Sequence, residues 1–496
     1  MILVALLALP LAGCLLTGSG LVPDRLARPV GVAVTAATFA LTVVLLAVFD
    51  YGRVAPQLGV DLPWVPALDL RFVLGVDGIS LPLVVLTALL TFLCAIYSLK
   101  SLPDPGRPAA FVSMMLLLEV GMLGTFVALD LLVFFVFFEV VLVPMYFLIA
   151  VWGGGRRQYA ATKFILYTLL GSVLMLLSFL GIHAETGTFD MLALAAAAGE
   201  GIPAPVQVLL FLGLFLGFAI KTPMWPLHSW LPDAHTEAPT VGSVLLAGVL
   251  LKMGTYGLVR IALPVLPDGA HAFAPALGVL AVVGILYGSL CCLAQHDLKR
   301  LIAYSSVGHM GFVLLGIATL TPVGINAALF GNIAHGAITG LLFFLVGALK
   351  DRYHTQDIRE IGGGVLAKSP YLGGLVAATA IGSLGLPGLA GFWGEMLALL
   401  AAFSPADGLN RPLFLVLMVL AGLGTVLTAA YLLVMVRRVV FGGVPERWRT
   451  ARFADVTALE LAAWTPLLAL MAVLGVYPRL VLGLTDGAVR ALFGGP

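Results

Sequence analysis

Seven ionisable residues stand inside long apolar runs of this chain: Glu119, Glu139, Lys221, Lys252, His309, His335 and Glu395. A charge at the centre of a membrane helix costs about 2.5–3.5 kcal/mol on insertion scales. Five unpaired charges of this kind would cost on the order of 13–17 kcal/mol, more than the net stability of most proteins. They must therefore pair, sit in water, or take up and release protons. Glu139 has no other polar side chain between Phe134 and Leu142, and Lys221 is set among Phe218, Ala219, Ile220 and Thr222-Pro223. A glutamate–lysine couple whose separation changes is a switchable proton site, because each charge governs how firmly the other group holds its proton. Lys252, central in the 245–263 run, is the next station. Histidine, with an ordinary pKa of about 6.5, accepts and releases protons without tuning. His309 and His335 are read either as relay members or as hydrogen-bonded core residues, and Glu119 either as a relay group or as the static partner of a lysine.

Two sets of helix breakers lie at the same depth as these charges. Pro223 and Pro226 remove backbone donors just after Lys221, and Gly382-Ser383-Leu384-Gly385-Leu386-Pro387-Gly388 cannot hold a continuous helix shortly before Glu395. Non-helical backbone inside a membrane is tolerated only where protein buries it or water lines it. Interrupted helices in two halves of a chain point to an inverted-repeat transporter and its ion site. His228, Asp233, His235 and Glu237 follow the first break; a metal cluster is one reading, but helix caps and the mouth of an access channel suit the flanking prolines better. The sequence has no GxSxG, HExxH or Walker-type string, so no covalent chemistry and no metal site are expected.

The elements carrying these residues follow from composition. The 496 residues are 61% hydrophobic and only 10% charged, against about 25% charged for a soluble domain. A soluble enzyme is excluded, and a net charge of +1 offers no footprint for nucleic acid. With about 20 apolar residues per crossing, the expected fold is an all-α polytopic membrane protein with about fourteen spans. They are placed at 2–22, 29–49, 79–99, 109–129, 131–152, 160–182, 205–227, 241–263, 273–294, 301–320, 324–349, 372–402, 412–438 and 458–482. The 50–78 segment is expected to be a long external loop. Eighteen Lys/Arg residues flank the loops after odd spans and six those after even spans, Arg260 among the six. That split puts the odd loops in the cytoplasm and both termini outside. Met1–Cys14 lacks the basic flank of a signal peptide and reads as a retained first span. Cys14, Cys94, Cys291 and Cys292 have no C-x-x-C spacing and read as small apolar-phase residues.

Several strings together resemble one family. Phe137-Phe138-Glu139-Val140-Val141-Leu142-Val143-Pro144-Met145-Tyr146, with Trp152-Gly153-Gly154, is similar to the fifth span of the antiporter-like chains of proton-pumping NADH–quinone oxidoreductase, respiratory complex I. Lys221–His235 is similar to their broken seventh helix, Asp297–Ser306 with His309 to their tenth span, and Gly388–Glu395 to their broken twelfth helix. The Val143-Pro144-Met145-Tyr146 string favours the chain M type, and the likeness runs from about residue 75 to 480.

The resemblance implies two inverted five-helix repeats, spans 4–8 (residues 109–263) and 9–13 (273–438), each with a broken helix. Spans 1–3 with the external loop (1–108) precede them, and span 14 with the tail (458–496) follows. It implies Glu139–Lys221 as the coupling pair, with Lys252, His309, His335 and Glu395 continuing a hydrated axis. It implies a bacterial inner membrane and, as partners, the lipid bilayer and the other complex I membrane subunits, including two related antiporter-like ones. NADH, FMN, iron–sulfur clusters and quinone would belong to partner subunits, with no cofactor held here. The rival readings are a subunit of a multisubunit cation/proton antiporter, the membrane arm of a proton-pumping hydrogenase, and a passive scaffold.

Overall fold

A computed structural model describes residues 1–65, 70–100 and 102–494. Positions 66–69, 101 and 495–496, within the predicted external loop, the segment after the third span and the tail, lie outside the described residues. Among the described residues, twelve helices are long and apolar enough to cross a membrane, and Ile2–Gly18 and Ala390–Phe403 are shorter apolar helices. Each overlies a predicted span.

Ten helices carry or frame the membrane-centre charges. They are α1 (Leu81–Ser98), α2 (Pro108–Val127), α3 (Leu131–Val140), α4 (Ala204–Lys221), α5 (Trp230–Glu237), α6 (Thr240–Val265), α7 (Leu298–Ala318), α8 (Pro322–Tyr353), α9 (Pro370–Ser383) and α10 (Ala390–Phe403). Burial separates their roles. The most apolar stretch of α6 is 100% buried and that of α8 is 94% buried, whereas helices Asp24–Val48 and Arg411–Val439 are each 28% buried. The outer helices turn Leu and Val outward, as a lipid or partner surface requires. The helices with Lys252 and His335 are thereby placed where no lipid reaches them.

Both expected breaks are present. The seventh span stops at Lys221, turns through 222–229 and resumes as α5; the twelfth stops at Ser383 and resumes at Ala390 as α10. A third interruption was not expected. Residues 131–152 form two helices meeting at Val141, where Pro144 cannot donate to the carbonyl of Val140 four residues before it. The eighth span also departs from a plain α-helix, with π-helical turns at Leu246–Leu250 and Leu258–Ala262 on either side of Lys252.

Three expectations need correction. The 50–78 segment is not an irregular loop: Gln57–Val65 and Leu70–Val76 pair antiparallel, with Leu62 opposite Phe72, so the chain is not wholly α. The prolines that argued for a loop are tolerated because a two-stranded ribbon consists only of edge strands. The last span ends at Val476 rather than 482, and Arg479–Leu492 forms a separate helix after Pro478. Arg260, counted with the loops, is buried inside α6.

The lowest-numbered turn of helix Ala458–Val476 anchors a charge cluster. Glu460 closes a capping box with Thr457 and also accepts from Lys100 at 2.9 Å and from Arg352 at 2.8 and 2.9 Å. Removing one partner of a buried pair costs about 3–5 kcal/mol, since the other charge is left uncompensated. Glu460→Ala should therefore lower the thermal stability of the detergent-solubilised protein far more than Glu446→Ala, an exposed pair with Arg449. Equal melting of the two variants would refute that.

Candidate functional site

Lys252 lies at the middle of α6 with no exposed surface. Its ammonium donates to the carbonyl of Ala247, in the π-helical turn that precedes it, and stands 2.6 Å from His335 Nδ1 on α8. A π turn displaces carbonyls from the regular α pattern and is frequent at functional sites; here it gives the ammonium an acceptor inside the membrane. One turn further along both helices, Thr255 and Asn332 bond each other at 2.9 and 3.2 Å, which fixes the register of α6 against α8.

From His335 the row continues onto α7. The His335 and His309 rings are 5.7 Å apart between centroids, edge to face. His309 spans the second break: Nδ1 is 3.0 Å from Glu395 Oε1 on α10, and Nε2 is 3.0 Å from Ser383 Oγ at the end of α9. In its neutral form the ring donates from Nδ1 to the carboxylate and accepts the serine hydroxyl; as imidazolium it donates to both. His335 Nε2 and Glu395 Oε2 are buried without a protein partner. Both residues, with His309 and Ser383, line one cavity sized for one or two water molecules. Four groups able to gain and lose a proton thus run from α6 across α8 and α7 to α10.

Lys221 and Glu139 are arranged differently. Lys221 ends α4 at the first break, buried, with no hydrogen-bond partner for its ammonium, which lies 4.6 Å from the centroid of the Phe138 ring. Glu139 is the next residue along α3. Its carboxylate faces Lys221 and Ser172 but, among the described residues, makes no ion pair within 4.0 Å. The two groups are neighbours but not in contact; the aromatic face holds the lysine instead, an attraction of about 2 kcal/mol when desolvated.

The remaining candidates separate. Glu119 on α2 is fully buried and neither oxygen has a partner, so the static-lysine reading finds no lysine at hydrogen-bond or ion-pair distance. Asp233 is engaged by Lys163 at 2.7 Å and Arg300 at 3.7 Å, and Glu237 accepts from the backbone of Arg156 at 2.9 Å. His228 packs against Tyr287, and His235 stacks on Phe343 at 4.5 Å. These four do not converge, and no metal-holding group of three His, Cys, Asp or Glu side chains occurs among the described residues. Glu237 instead lines a wide cavity with Lys299, Lys350 and Asp351.

Sequence reading missed Ser383, Asn332, Thr255 and the Ala247 carbonyl. Ser383 was within the quoted break, and Asn332 sits three residues before His335, so helical spacing alone could have flagged it. Ser383→Ala removes one of the two hydrogen bonds that orient His309. A typical hydrogen bond contributes about 0.5–1.5 kcal/mol, so transport should slow about three- to tenfold, with Ser383→Thr restoring it. An unaltered rate in Ser383→Ala would show that the hydroxyl does not orient the ring.

The comparisons with known proteins place the chain in a family of membrane subunits. A family model described as "NADH:quinone oxidoreductase/Mrp antiporter, TM" matches residues 128–428. The "NADH-quinone oxidoreductase subunit M" of Rhodobacter capsulatus is 43% identical over 486 residues, covering 96% of this chain and 92% of that one. A chain 4 of the NAD(P)H-quinone oxidoreductase of a Nostoc species is 40% identical, covering 97% and 88%. Among solved structures, a chain of respiratory complex I from Thermus thermophilus with bound NADH superposes with a TM-score of 0.87 at 32% identity, covering 100% of both chains. A chain of the Mrp complex from a Dietzia species, at 22% identity, covers 99% and 98% with a TM-score of 0.83, and shares the fold.

Proposed function

This chain belongs to the NADH:quinone oxidoreductase/Mrp antiporter transmembrane family, and from that premise we propose how it works as the M-type, proton-translocating membrane-arm subunit of an NADH-quinone oxidoreductase. The observation that carries the proposal is the row Lys252–His335–His309–Glu395, hydrogen-bonded at its two ends and crossing the second break. Electron transfer takes place in partner subunits, which hold NADH, FMN, iron–sulfur clusters and quinone; this chain does no redox chemistry.

In this reading a neighbouring membrane subunit changes the separation of Glu139 and Lys221. With the carboxylate close, Lys221 holds its proton; with the carboxylate withdrawn and only the Phe138 ring as support, it releases the proton toward Lys252. Lys252 passes it to His335, His309 relays it across the break, and Glu395 hands it on or out. Each step moves one proton between groups that recover their starting state, so no bond beyond N–H and O–H is made or broken. Glu119, without a protein partner, joins the same axis as an accessory proton site.

The architecture we assign to this work has fourteen crossings, counting Ile2–Gly18 and the pair α9–α10 as one each. Two inverted repeats, 109–263 and 273–438, each contribute a broken helix, with both termini on the outer side of a bacterial inner membrane. The charged cavity at Glu237 and Lys299 then opens to the cytoplasm. Other complex I membrane subunits, two of them related antiporter-like chains, flank it along the arm. The cation/proton antiporter reading shares the fold, but the identity of 43% with a subunit M favours the oxidoreductase. Affinity purification of the tagged chain from its native membrane tests the choice. The expected complex oxidises NADH with quinone and acidifies the lumen of proteoliposomes. Recovery with cation-antiporter chains and no NADH oxidation would overturn the proposal.

A further inference from the structure

A second polar column leaves Lys252 in the other direction and is not used by the relay. Lys252, Tyr256 and Arg260 follow one another at four-residue intervals along α6, toward the end of the helix nearest the β-hairpin. The Tyr256 hydroxyl donates to the carbonyl of Phe126 at 3.0 Å and accepts from Arg260 Nε at 3.3 Å. Arg260 Nη2 lies 2.5 Å from each oxygen of Asp77. Asp77 Oδ1 accepts in addition from the backbone N–H groups of Ile79 and Ser80 at 3.0 and 3.1 Å, at the start of α1. Arg260 and Asp77 are 6% and 3% exposed.

A buried ion pair contributes little net stability compared with apolar residues of the same volume, so stability alone gives a weak reason for placing one here. Its chemistry gives a stronger one. A proton wire requires every member to accept a proton and pass another on. Arginine cannot be deprotonated in a protein. The Tyr256 proton is committed to a carbonyl, and Asp77 is occupied by one guanidinium and two amides. A column of these three groups is polar yet does not conduct protons.

We propose that Arg260, held by Asp77 and Tyr256, is a proton-tight plug between Lys252 and the hairpin face of the membrane. It forces protons at Lys252 sideways to His335 instead of letting them run straight through α6. The plug rests on the proposed function for its purpose, since only a pump loses work when its central lysine is short-circuited. About 12 Å of helix axis separates Lys252 from Arg260.

The test uses the whole purified complex in proteoliposomes, without NADH, with an imposed pH gradient and the membrane potential clamped by valinomycin. Arg260→Lys keeps a cation beside Asp77 but substitutes one that can release its proton, so passive proton flux should rise several-fold. Asp77→Asn leaves the guanidinium in place and should stay tight, although less stable. If Arg260→Lys fails to assemble, Arg260→His, whose ring can take up and release a proton beside Asp77, carries the same expectation of a leak. Flux at the wild-type level in an assembled, NADH-oxidising Arg260→Lys complex, or in Arg260→His, would overturn the plug. Loss of stability alone does not move this readout. Because no NADH is present, the outcome is independent of whether Lys221 drives pumping, which only the turnover experiments decide.

Discussion

Complexes assembled with Lys221→Ala should bind and be reduced by NADH yet build almost no pH gradient, with the initial rate of lumen acidification down about tenfold or more. Loss of a single interaction of roughly 1.4 kcal/mol in the rate-limiting proton step already gives that factor. Glu139→Gln should do the same from the other side of the pair. The usual objection to such a result is that the variant misfolds, and the geometry answers it. The Lys221 ammonium is buried without a hydrogen-bond partner and rests on the Phe138 ring. Burying an unpaired charge costs free energy, so deleting it removes a destabilising group and should leave the melting temperature level or higher. A variant as stable as the parent but unable to pump assigns the cost of Lys221 to function. Full acidification by an assembled Lys221→Ala complex would end the switch reading. Phe138→Leu is an informative companion: it keeps an apolar side chain at this buried position but removes the π face on which Lys221 rests, and the rate should fall by a smaller factor.

Much of this site was legible in the sequence because charges in apolar runs are costly and the chain cannot hide them. Lys221 and Glu395 stood out further because prolines and glycines break the helix beside each. What periodicity could not supply was partnership. Lys252 and His335 are separated by 83 positions, and His309 and Glu395 by 86; no local pattern says which buried groups meet. Ser383 stood out only as part of a helix break, yet the break is what brings its hydroxyl to His309. Arg260 was counted with the loops because arginine near a span end ordinarily snorkels to the interface; a carboxylate 183 positions away in sequence keeps it inside. The hairpin was missed for a related reason. Its prolines and charges are loop-like in composition, and the alternation in Leu70–Val76 is short beside the long apolar helices around it. The third interruption, at Val141, was foreshadowed by Pro144, whose effect on the carbonyl of Val140 was overlooked within a strongly apolar window.

Whether protons pass through Lys252 and the histidines in series can be decided by combining substitutions. Lys252→Met replaces the ammonium by an apolar side chain of similar length, a change a fully buried site tolerates better than truncation. It removes the contacts to Ala247 and His335 and should cut coupled pumping about tenfold or more, on the same reasoning as for Lys221. His335→Gln keeps a hydrogen-bonding group on α8 but cannot carry a proton through a ring, and should give a loss of similar size. Residues that act as one unit are grossly non-additive, so the double variant should pump no worse than the poorer single one. Independent routes would instead multiply the two losses to about a hundredfold. The Thr255–Asn332 bond one turn away bears on the same question. Asn332→Ala leaves both relay groups in place but loosens the register of α6 against α8. If the 2.6 Å approach of Lys252 to His335 is the conducting contact, Asn332→Ala should slow pumping in the parent and have no further effect once Lys252 is methionine. A double variant whose losses multiply, together with an Asn332→Ala effect that persists without Lys252, would mean that protons reach Glu395 by a path that bypasses this lysine.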